Sequence, residues 1–159
     1  MNTIKFSNIK RKTTEQHNLQ TINLKQVEIF GKRYKLYEPC NLNIFITNKC
    51  PNNCGFCINK DYLNTDIYNE EFYKSLELLL NELKNLQIEI TITGGEPTLN
   101  KERFVKTIEM CKHYGFKCRT ISTIGTNLMK EYNNKHLCEW LVNYGFTHNI
   151  NISRMAKED

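Results

Sequence analysis

Apolar and polar residues alternate in short runs along the chain from residue 41 onward. Leucine and isoleucine occupy every second position of residues 42–46 and of residues 88–92. An alternation of period two is typical of a strand with one buried face. The same reasoning places two further strands at about residues 116–123 and 147–153. The pattern therefore predicts four strands.

Helical patterns occupy the segments between these strands. Residues 70–83 carry apolar side chains three and four positions apart, and Asn69 precedes them as a helix cap. Asn100 is the expected cap of a second helix, which ends at Gly115, and a third helix ends at Gly145. Tyr-Gly-Phe closes both of these last helices and opens the strand that follows, which indicates a repeated strand–helix unit.

Regular alternation of strands and helices predicts parallel strands with right-handed crossovers. The predicted fold class is therefore α/β, an open sheet or an incomplete TIM-like (βα) barrel of about four parallel strands. A complete eight-unit barrel needs about 250 residues, so this chain of 159 residues makes at most half of one. Residues 1–40 are expected to form an N-terminal extension with a small β-hairpin around Gly31.

The composition excludes several classes of protein. The longest apolar runs are three residues, and the polar N-terminus has no signal-peptide core, so neither a membrane partner nor an oxidising compartment is expected. An odd number of cysteines, seven, favours thiols and metal ligands over disulfides. Residues 1–40 hold eight Lys/Arg and three Glu, which is the whole net charge of +5. We interpret this as a solvated basic extension and do not expect nucleic acid as a partner.

One face of the predicted sheet is polar, unlike the continuous apolar strands of a sheet covered on both sides. Two interpretations remain open: the concave face of a half barrel is simply hydrated, or it lines a cavity for a cofactor and substrate. The residues of this face are Asn43, Thr47, Glu89, Thr91, Thr93, Asn149, Asn151 and Ser153.

Three cysteines, Cys50, Cys54 and Cys57, follow the first of the four strands in a loop rich in Asn, Pro and Gly. Structural zinc normally needs four protein ligands, and Cys40 is about 20 Å away if a strand separates it from the loop. Three thiolates on a cubane iron–sulfur cluster leave one iron open to another ligand. A zinc or redox site remains an alternative on the cysteine pattern alone.

A second loop, Gly94-Gly95-Glu96-Pro97, directly follows the next strand. Both loops are therefore expected at the same end of the sheet. Paired glycines allow a backbone to approach a ligand closely, and a carboxylate can receive an ammonium group.

Together the two loops resemble the signatures of the radical S-adenosylmethionine (radical SAM) superfamily. The Cys-x3-Cys-x-aromatic-Cys signature matches residues 50–57 with Phe56 as the aromatic residue, and the Gly-Gly-Glu-Pro motif matches residues 94–97. On this resemblance, residues 41–159 are a partial radical SAM core, shortened relative to the family's six-unit barrel.

The resemblance implies a [4Fe–4S] cluster held by the three cysteines and SAM bound to the open iron through its amino and carboxylate groups. It places Phe56 against the adenine. The methionine amino group is expected at Gly94, Gly95 and Glu96, in the loop that Pro97 completes. Further SAM contacts are expected at the ends of the third and fourth strands, at Ser122, Ser153 and Arg154. The resemblance identifies no catalytic residue of this chain.

The implied reaction is reductive cleavage of SAM to methionine and a 5′-deoxyadenosyl radical, which abstracts hydrogen from a substrate. An electron donor such as a flavodoxin or ferredoxin and a reducing, cytoplasmic setting are implied as well. Oxidoreductase, transferase and lyase chemistry are all compatible with the residues, as are metabolite, nucleotide and peptide substrates.

The end of the sequence on the fourth strand supports a second hypothesis, in which the chain is a truncated or split cluster-binding fragment without catalysis of its own. A partner chain would then complete the barrel. A small zinc-binding module using Cys50, Cys54 and Cys57 is a third hypothesis. Asn127 lies where many members have Thr-Asn-Gly, but Leu128 replaces the glycine, so Asn127 is given no role.

Overall fold

The structure is a computed structural model that describes residues 23–38, 40–65, 70–144 and 149–152. Its helices are α1 (Glu70–Leu83), α2 (Lys101–His113) and α3 (Leu137–Asn143). Single 3-10 turns lie at Lys60–Tyr62 and Pro97–Leu99. The strands are β1 (Asn23–Ile29), β2 (Lys32–Glu38), β3 (Cys40–Phe45), β4 (Ile88–Thr93), β5 (Lys117–Thr123), β6 (Glu131–Tyr132), β7 (Lys135–His136) and β8 (Asn149–Ile152).

Four of these strands form one parallel sheet in the order β3-β4-β5-β8. Ile44 of β3 lies beside Ile92 of β4, which in turn lies beside Ile121 of β5. The predicted α/β fold with four parallel strands, a partial βα barrel, is therefore confirmed. The predicted cap at Asn69 lies outside the described residues.

The core lies between the apolar face of this sheet and the helices. Ile46, Ile90, Ile92, Phe104 and Leu141 are fully buried there, and burying each such side chain stabilises the fold by about 1.5–3 kcal/mol. None of the helices in the described ranges is long and apolar enough to cross a bilayer.

The start and end of α2 follow the residues that predicted them. Asn100 Oδ1 accepts a 2.9 Å hydrogen bond from the backbone N–H of Arg103, which caps the first turn. Gly115 has φ +81° just past the last turn, a conformation that side-chain-bearing residues rarely adopt. The helix therefore begins at Lys101, just after the 3-10 turn at Pro97–Leu99 that follows the paired glycines.

β1 and β2 form a separate antiparallel hairpin, in the segment where the sequence placed one. Phe30 and Gly31 at its tip both have positive φ, +48° and +73°, as a type I′ turn requires. The Phe30 N–H donates a 2.7 Å hydrogen bond to Glu82 Oε1 of α1, and Ile29 packs against the core. The division into an extension and a core remains a prediction.

A second small hairpin, β6–β7, was not predicted. Asn133 and Asn134 form its turn, both with positive φ. It is attached to the helices on both sides, since Lys101 Nζ donates to the Glu131 carbonyl at 2.7 Å and Trp140 Nε1 donates to the Tyr132 carbonyl at 3.1 Å.

Candidate cofactor site at the carboxyl ends of the strands

The cysteine loop and the Gly94–Pro97 loop are joined backbone to backbone. The Gly95 N–H donates to the Thr47 carbonyl at 2.6 Å, and the Glu96 N–H donates to the Lys49 carbonyl at 2.8 Å. These bonds continue the pairing of β3 with β4 beyond the ends of both strands. The structure thus brings together the two loops that the sequence singled out.

Both glycines of the second loop are required by this close approach. Gly94 has φ +145°, and a Cβ atom there would stand 2.5 Å from the Thr47 carbonyl oxygen. A Cβ atom on Gly95 would collide with the Lys49 carbonyl oxygen. Any side chain at either position would therefore push the second loop away from the cysteine loop.

The carboxylate of Glu96 is fully buried and accepts four hydrogen bonds from the chain. Its Oε1 accepts from the N–H and the hydroxyl of Thr98 and, at 2.7 Å, from the hydroxyl of Thr123. Its Oε2 accepts from the Ile124 N–H at 2.6 Å. These donors give both carboxylate oxygens hydrogen-bond partners, as a buried carboxylate requires. In this structure the carboxylate therefore connects the second loop to the end of β5.

The cysteine loop is closed at its base by Asn48. The backbone carbonyl of Asn48 accepts a hydrogen bond from the Asn64 N–H at 3.1 Å. The side-chain oxygen of Asn48 accepts another from the side-chain amide of Asn59 at 2.9 Å. Within the loop, the Cys57 N–H donates to the Cys54 carbonyl at 3.1 Å. All three cysteines are free, half-buried thiols.

The electrostatics of the loop connect the three thiols with Glu96. Burial raises the pKa of the Cys50 thiol above its usual range. The negative charges of Glu96, Cys54 and Cys57 raise that pKa further, against a backbone hydrogen bond from Asn52 that lowers it.

The donor set fits an iron–sulfur cluster by its chemistry, because soft thiolates are the ligands such clusters use. The three thiols do not form a site for a single metal ion. In the part of the chain that the structure describes, no three His, Cys, Asp or Glu side chains are close enough together to hold a metal ion.

The other predicted site residues have different surroundings. Phe56 is 71% exposed on the cysteine loop. Pro97 is buried and opens the 3-10 turn after the second loop. Ser122 is half-buried in β5, beside Asn151 of β8. Ser153 and Arg154 lie outside the described residues.

Three residues at this end of the sheet were missed by the sequence analysis. Thr98 and Thr123 donate to Glu96, and Arg103 Nη1 donates to the Ile46 carbonyl at 3.2 Å. The three residues lie in a 3-10 turn, at the end of a strand and in a helix. No sequence pattern links these positions, so the sequence could not show that the residues meet at this end of the sheet. Only a Glu followed two residues later by Thr, in a turn after a strand, hints at local capping.

Part of the polar face of the sheet is used for contacts between strands. The Thr91 hydroxyl donates to Asn41 Oδ1 at 3.0 Å, and Arg119 pairs with Glu89 at 2.5 Å. Glu89 and Asn41 lie near the amino ends of their strands. This end of the polar face is therefore remote from the two loops.

Comparison with known proteins identifies a family whose signature loops are the two loops of this site. The chain is an α/β protein with a three-cysteine loop and a paired-glycine loop side by side at the carboxyl ends of its strands. The family model for the radical SAM superfamily matches residues 44–153. The chain belongs to this superfamily, and the resemblance seen in the two loops is confirmed.

A relative is found among curated proteins, an uncharacterized protein of Methanocaldococcus jannaschii. It is 34% identical over 87 residues, which cover 55% of this chain and 30% of the relative. The chain thus matches less than a third of the length of that protein. No solved structure matches the chain.

Proposed function

We propose that this chain binds a [4Fe–4S] cluster and SAM and acts in radical SAM chemistry. Cys50, Cys54 and Cys57 are the proposed cluster ligands, and the Gly94–Pro97 loop is the proposed site of the SAM amino group. The observation that carries the proposal is the hydrogen-bonded contact between the two loops, with Gly95 N and Thr47 O 2.6 Å apart. It supports binding of the two cofactors next to each other.

Assembly of the cluster requires each thiol to lose its proton, and the raised pKa of Cys50 opposes this step. Metal–thiolate bonding must offset this cost.

We assign the remaining site residues according to which of their groups are exposed or still able to contact SAM. Because the Glu96 carboxylate is satisfied by Thr98, Thr123 and Ile124, we assign the SAM ammonium to backbone carbonyls of the Gly94–Glu96 segment rather than to that carboxylate. Exposed Phe56 is free to lie against the adenine. Ser122, Ser153 and Arg154 remain proposed contacts to the ribose or carboxylate of SAM.

When bound, the cluster would supply the electron that cleaves SAM reductively to methionine and a 5′-deoxyadenosyl radical. The chain's own contribution is to orient SAM and keep water from the reacting atoms. An external electron donor, a substrate and a reducing compartment belong to the same proposal.

Anaerobic reconstitution with iron and sulfide tests the cluster. We expect about four irons per chain with brown absorbance, and a change in the EPR spectrum of the reduced cluster when SAM is added. Cys54→Ser should remove most of the iron. Cys138 is a half-buried thiol outside the loop, so the control variant Cys138→Ser should retain the iron. A colourless protein that binds zinc instead would contradict the proposal and favour a zinc module.

Turnover needs a separate measurement. Formation of 5′-deoxyadenosine under reducing conditions would show that this chain cleaves SAM by itself. A reduced cluster that binds SAM and leaves it intact would identify the chain as a cluster-binding part that needs further protein for catalysis.

A further inference from the structure

Residues 47–49 lie between the two loops of the candidate site and are bonded to both. The carbonyls of the first and the last of them accept hydrogen bonds from the N–H groups of Gly95 and Glu96, in the second loop. The carbonyl of the middle residue, Asn48, accepts a hydrogen bond from the N–H of Asn64, which follows the three cysteines. This segment therefore connects the paired-glycine loop on one side with the far end of the cysteine loop on the other.

The side chain of Asn48 also holds the far end of the cysteine loop. Its Oδ1 accepts a 2.9 Å hydrogen bond from the side-chain amide of Asn59, and its Nδ2 donates a 3.0 Å hydrogen bond to the Thr65 carbonyl. The Thr65 hydroxyl in turn donates to the Tyr62 carbonyl at 2.6 Å. Because the side chain must accept at one atom and donate at the other, a primary amide suits this position and a carboxylate does not. Asn48 thus closes the loop that carries the three thiols.

We propose that Asn48 is a positioning residue for the cluster. Its side-chain amide holds the cysteine loop in place beside the Gly94–Pro97 loop, and so controls how tightly the cluster is kept and how the cluster responds to SAM. Asn48 offers no thiolate to iron, so it acts through the backbone that carries the thiols. Loss of a residue that orients metal ligands typically lowers metal affinity roughly 10–100-fold. The inference rests on the proposed function.

Chymotrypsin digestion of the iron-free chain tests the closure of the loop without a cluster. Phe56 and Tyr62 are exposed cleavage sites in the loop, and a protease cuts a segment faster when the segment opens more often. We expect Asn48→Ala to be cut at these sites at least about fivefold faster than the parent, because two side-chain hydrogen bonds are lost. Asn53→Ala replaces an exposed asparagine of the same loop and should be cut at the parental rate. Equal rates for the two variants would overturn the proposal.

Two measurements on the anaerobically reconstituted chain test the effect on the cluster. We expect iron to be lost to EDTA about tenfold faster from Asn48→Ala than from the parent or from Asn53→Ala. The SAM concentration that gives half of the change in the EPR spectrum should rise about tenfold as well. A variant that was only less stable would melt at a lower temperature and leave this SAM concentration unchanged. An unchanged concentration would therefore overturn the proposal.

Asn59→Ala separates the two bonds of the Asn48 side chain. It removes the bond to Oδ1 and leaves the bond from Nδ2 to Thr65, so iron should be lost more slowly than from Asn48→Ala and faster than from the parent. The double variant Asn48→Ala/Asn59→Ala should lose iron no faster than Asn48→Ala, because the bond that joins the two residues is already absent. Additive effects would show that the two residues act independently and would contradict the proposal.

Circular dichroism of the iron-free variants verifies that they fold, and Asn59→Ala carries the test if Asn48→Ala does not fold. The parent chain distinguishes the two proposals. A parent that forms no cluster would overturn the proposed function and this inference together. A parent that forms the cluster, with Asn48→Ala behaving as Asn53→Ala does, would overturn this inference alone.

Discussion

The hydroxyl of Thr123 donates a 2.7 Å hydrogen bond to the buried carboxylate of Glu96, joining the end of β5 to the loop after β4. The backbone of the same loop is bonded to Thr47 and Lys49 after β3. Three adjacent strands are therefore connected at their carboxyl ends through one four-residue loop. Disturbing that loop should affect both the stability of the chain and the geometry of the candidate site.

Removal of the Glu96 carboxylate should destabilise the protein strongly. Glu96→Ala leaves the Thr98 and Ile124 N–H groups and two hydroxyls without their acceptor in a buried place, and we expect a loss of about 3 kcal/mol in the free energy of unfolding. Urea denaturation of the iron-free chain measures it. Glu102→Gln, exposed in the first turn of α2, is the control and should cost under about 0.5 kcal/mol. Similar midpoints for the two variants would contradict this role of Glu96.

The Thr123 hydroxyl makes a smaller contribution that can be measured separately. It donates to Glu96 and accepts from the Gly125 N–H at 3.1 Å. Thr123→Val removes both bonds at nearly constant volume and should lower the free energy of unfolding by about 1–2 kcal/mol. Thr123→Ser keeps the hydroxyl and should lose less. If serine proved as destabilising as valine, packing of the methyl group rather than hydrogen bonding would be the cause.

A methyl group at Gly95 should damage the candidate site. Gly95→Ala drives a Cβ atom into the Lys49 carbonyl, so the two loops must separate. We expect a lower melting temperature and less iron per chain after anaerobic reconstitution. Gly55→Ala is the matched control, because it lies within the cysteine loop and a Cβ atom there meets nothing within 4 Å. Retention of iron by Gly95→Ala at the level of Gly55→Ala would show that the contact between the loops is dispensable.

The buried thiol of Cys118 should make the stability of the chain sensitive to alkaline pH. A hydrogen bond with the side chain of Cys111, and then burial, raise the pKa of Cys118, so this thiol stays protonated in the folded chain. Stability from this group is present below the unfolded pKa of about 8.5 and declines as pH rises above it, by up to about 1.4 kcal/mol per unit.

Urea denaturation of the iron-free chain between pH 7 and 10 measures this decline, and Cys118→Ala should show a shallower one. Both thiols should also resist alkylation at pH 8 until the chain unfolds. Rapid labelling of Cys111 or Cys118 in the native chain would contradict their burial.

The sequence predicted those parts of the fold that depend on local pattern. The alternating residues 88–92 lie in β4, as predicted. Helix α2 lies between Asn100 and Gly115, the residues expected to mark its start and its end. The Gly94–Gly95 pair was assigned to a loop at the end of a strand, where it is found. The β6–β7 hairpin was missed because its strands have two residues each, too few for alternation to show. Its Asn133-Asn134 turn was the usable signal.

The pattern of apolar and polar residues could not predict which side chains from distant segments contact each other. Glu96 looked like a ligand for an ammonium group, but Thr123, 27 residues later, binds the carboxylate in the structure. The partner of a buried polar group is set by how strands pack, and no local spacing carries that information. For the same reason, the cysteine spacing could indicate a kind of ligand but not how the three thiols are arranged in space.

The backbone bonds between the cysteine loop and the Gly94–Pro97 loop have a thermodynamic consequence. If one loop holds the cluster and the other holds SAM, neither can shift without its neighbour, so the two binding equilibria are coupled. Coupling of this kind is reciprocal: whatever factor SAM adds to retention of the cluster, the cluster must add to the affinity for SAM.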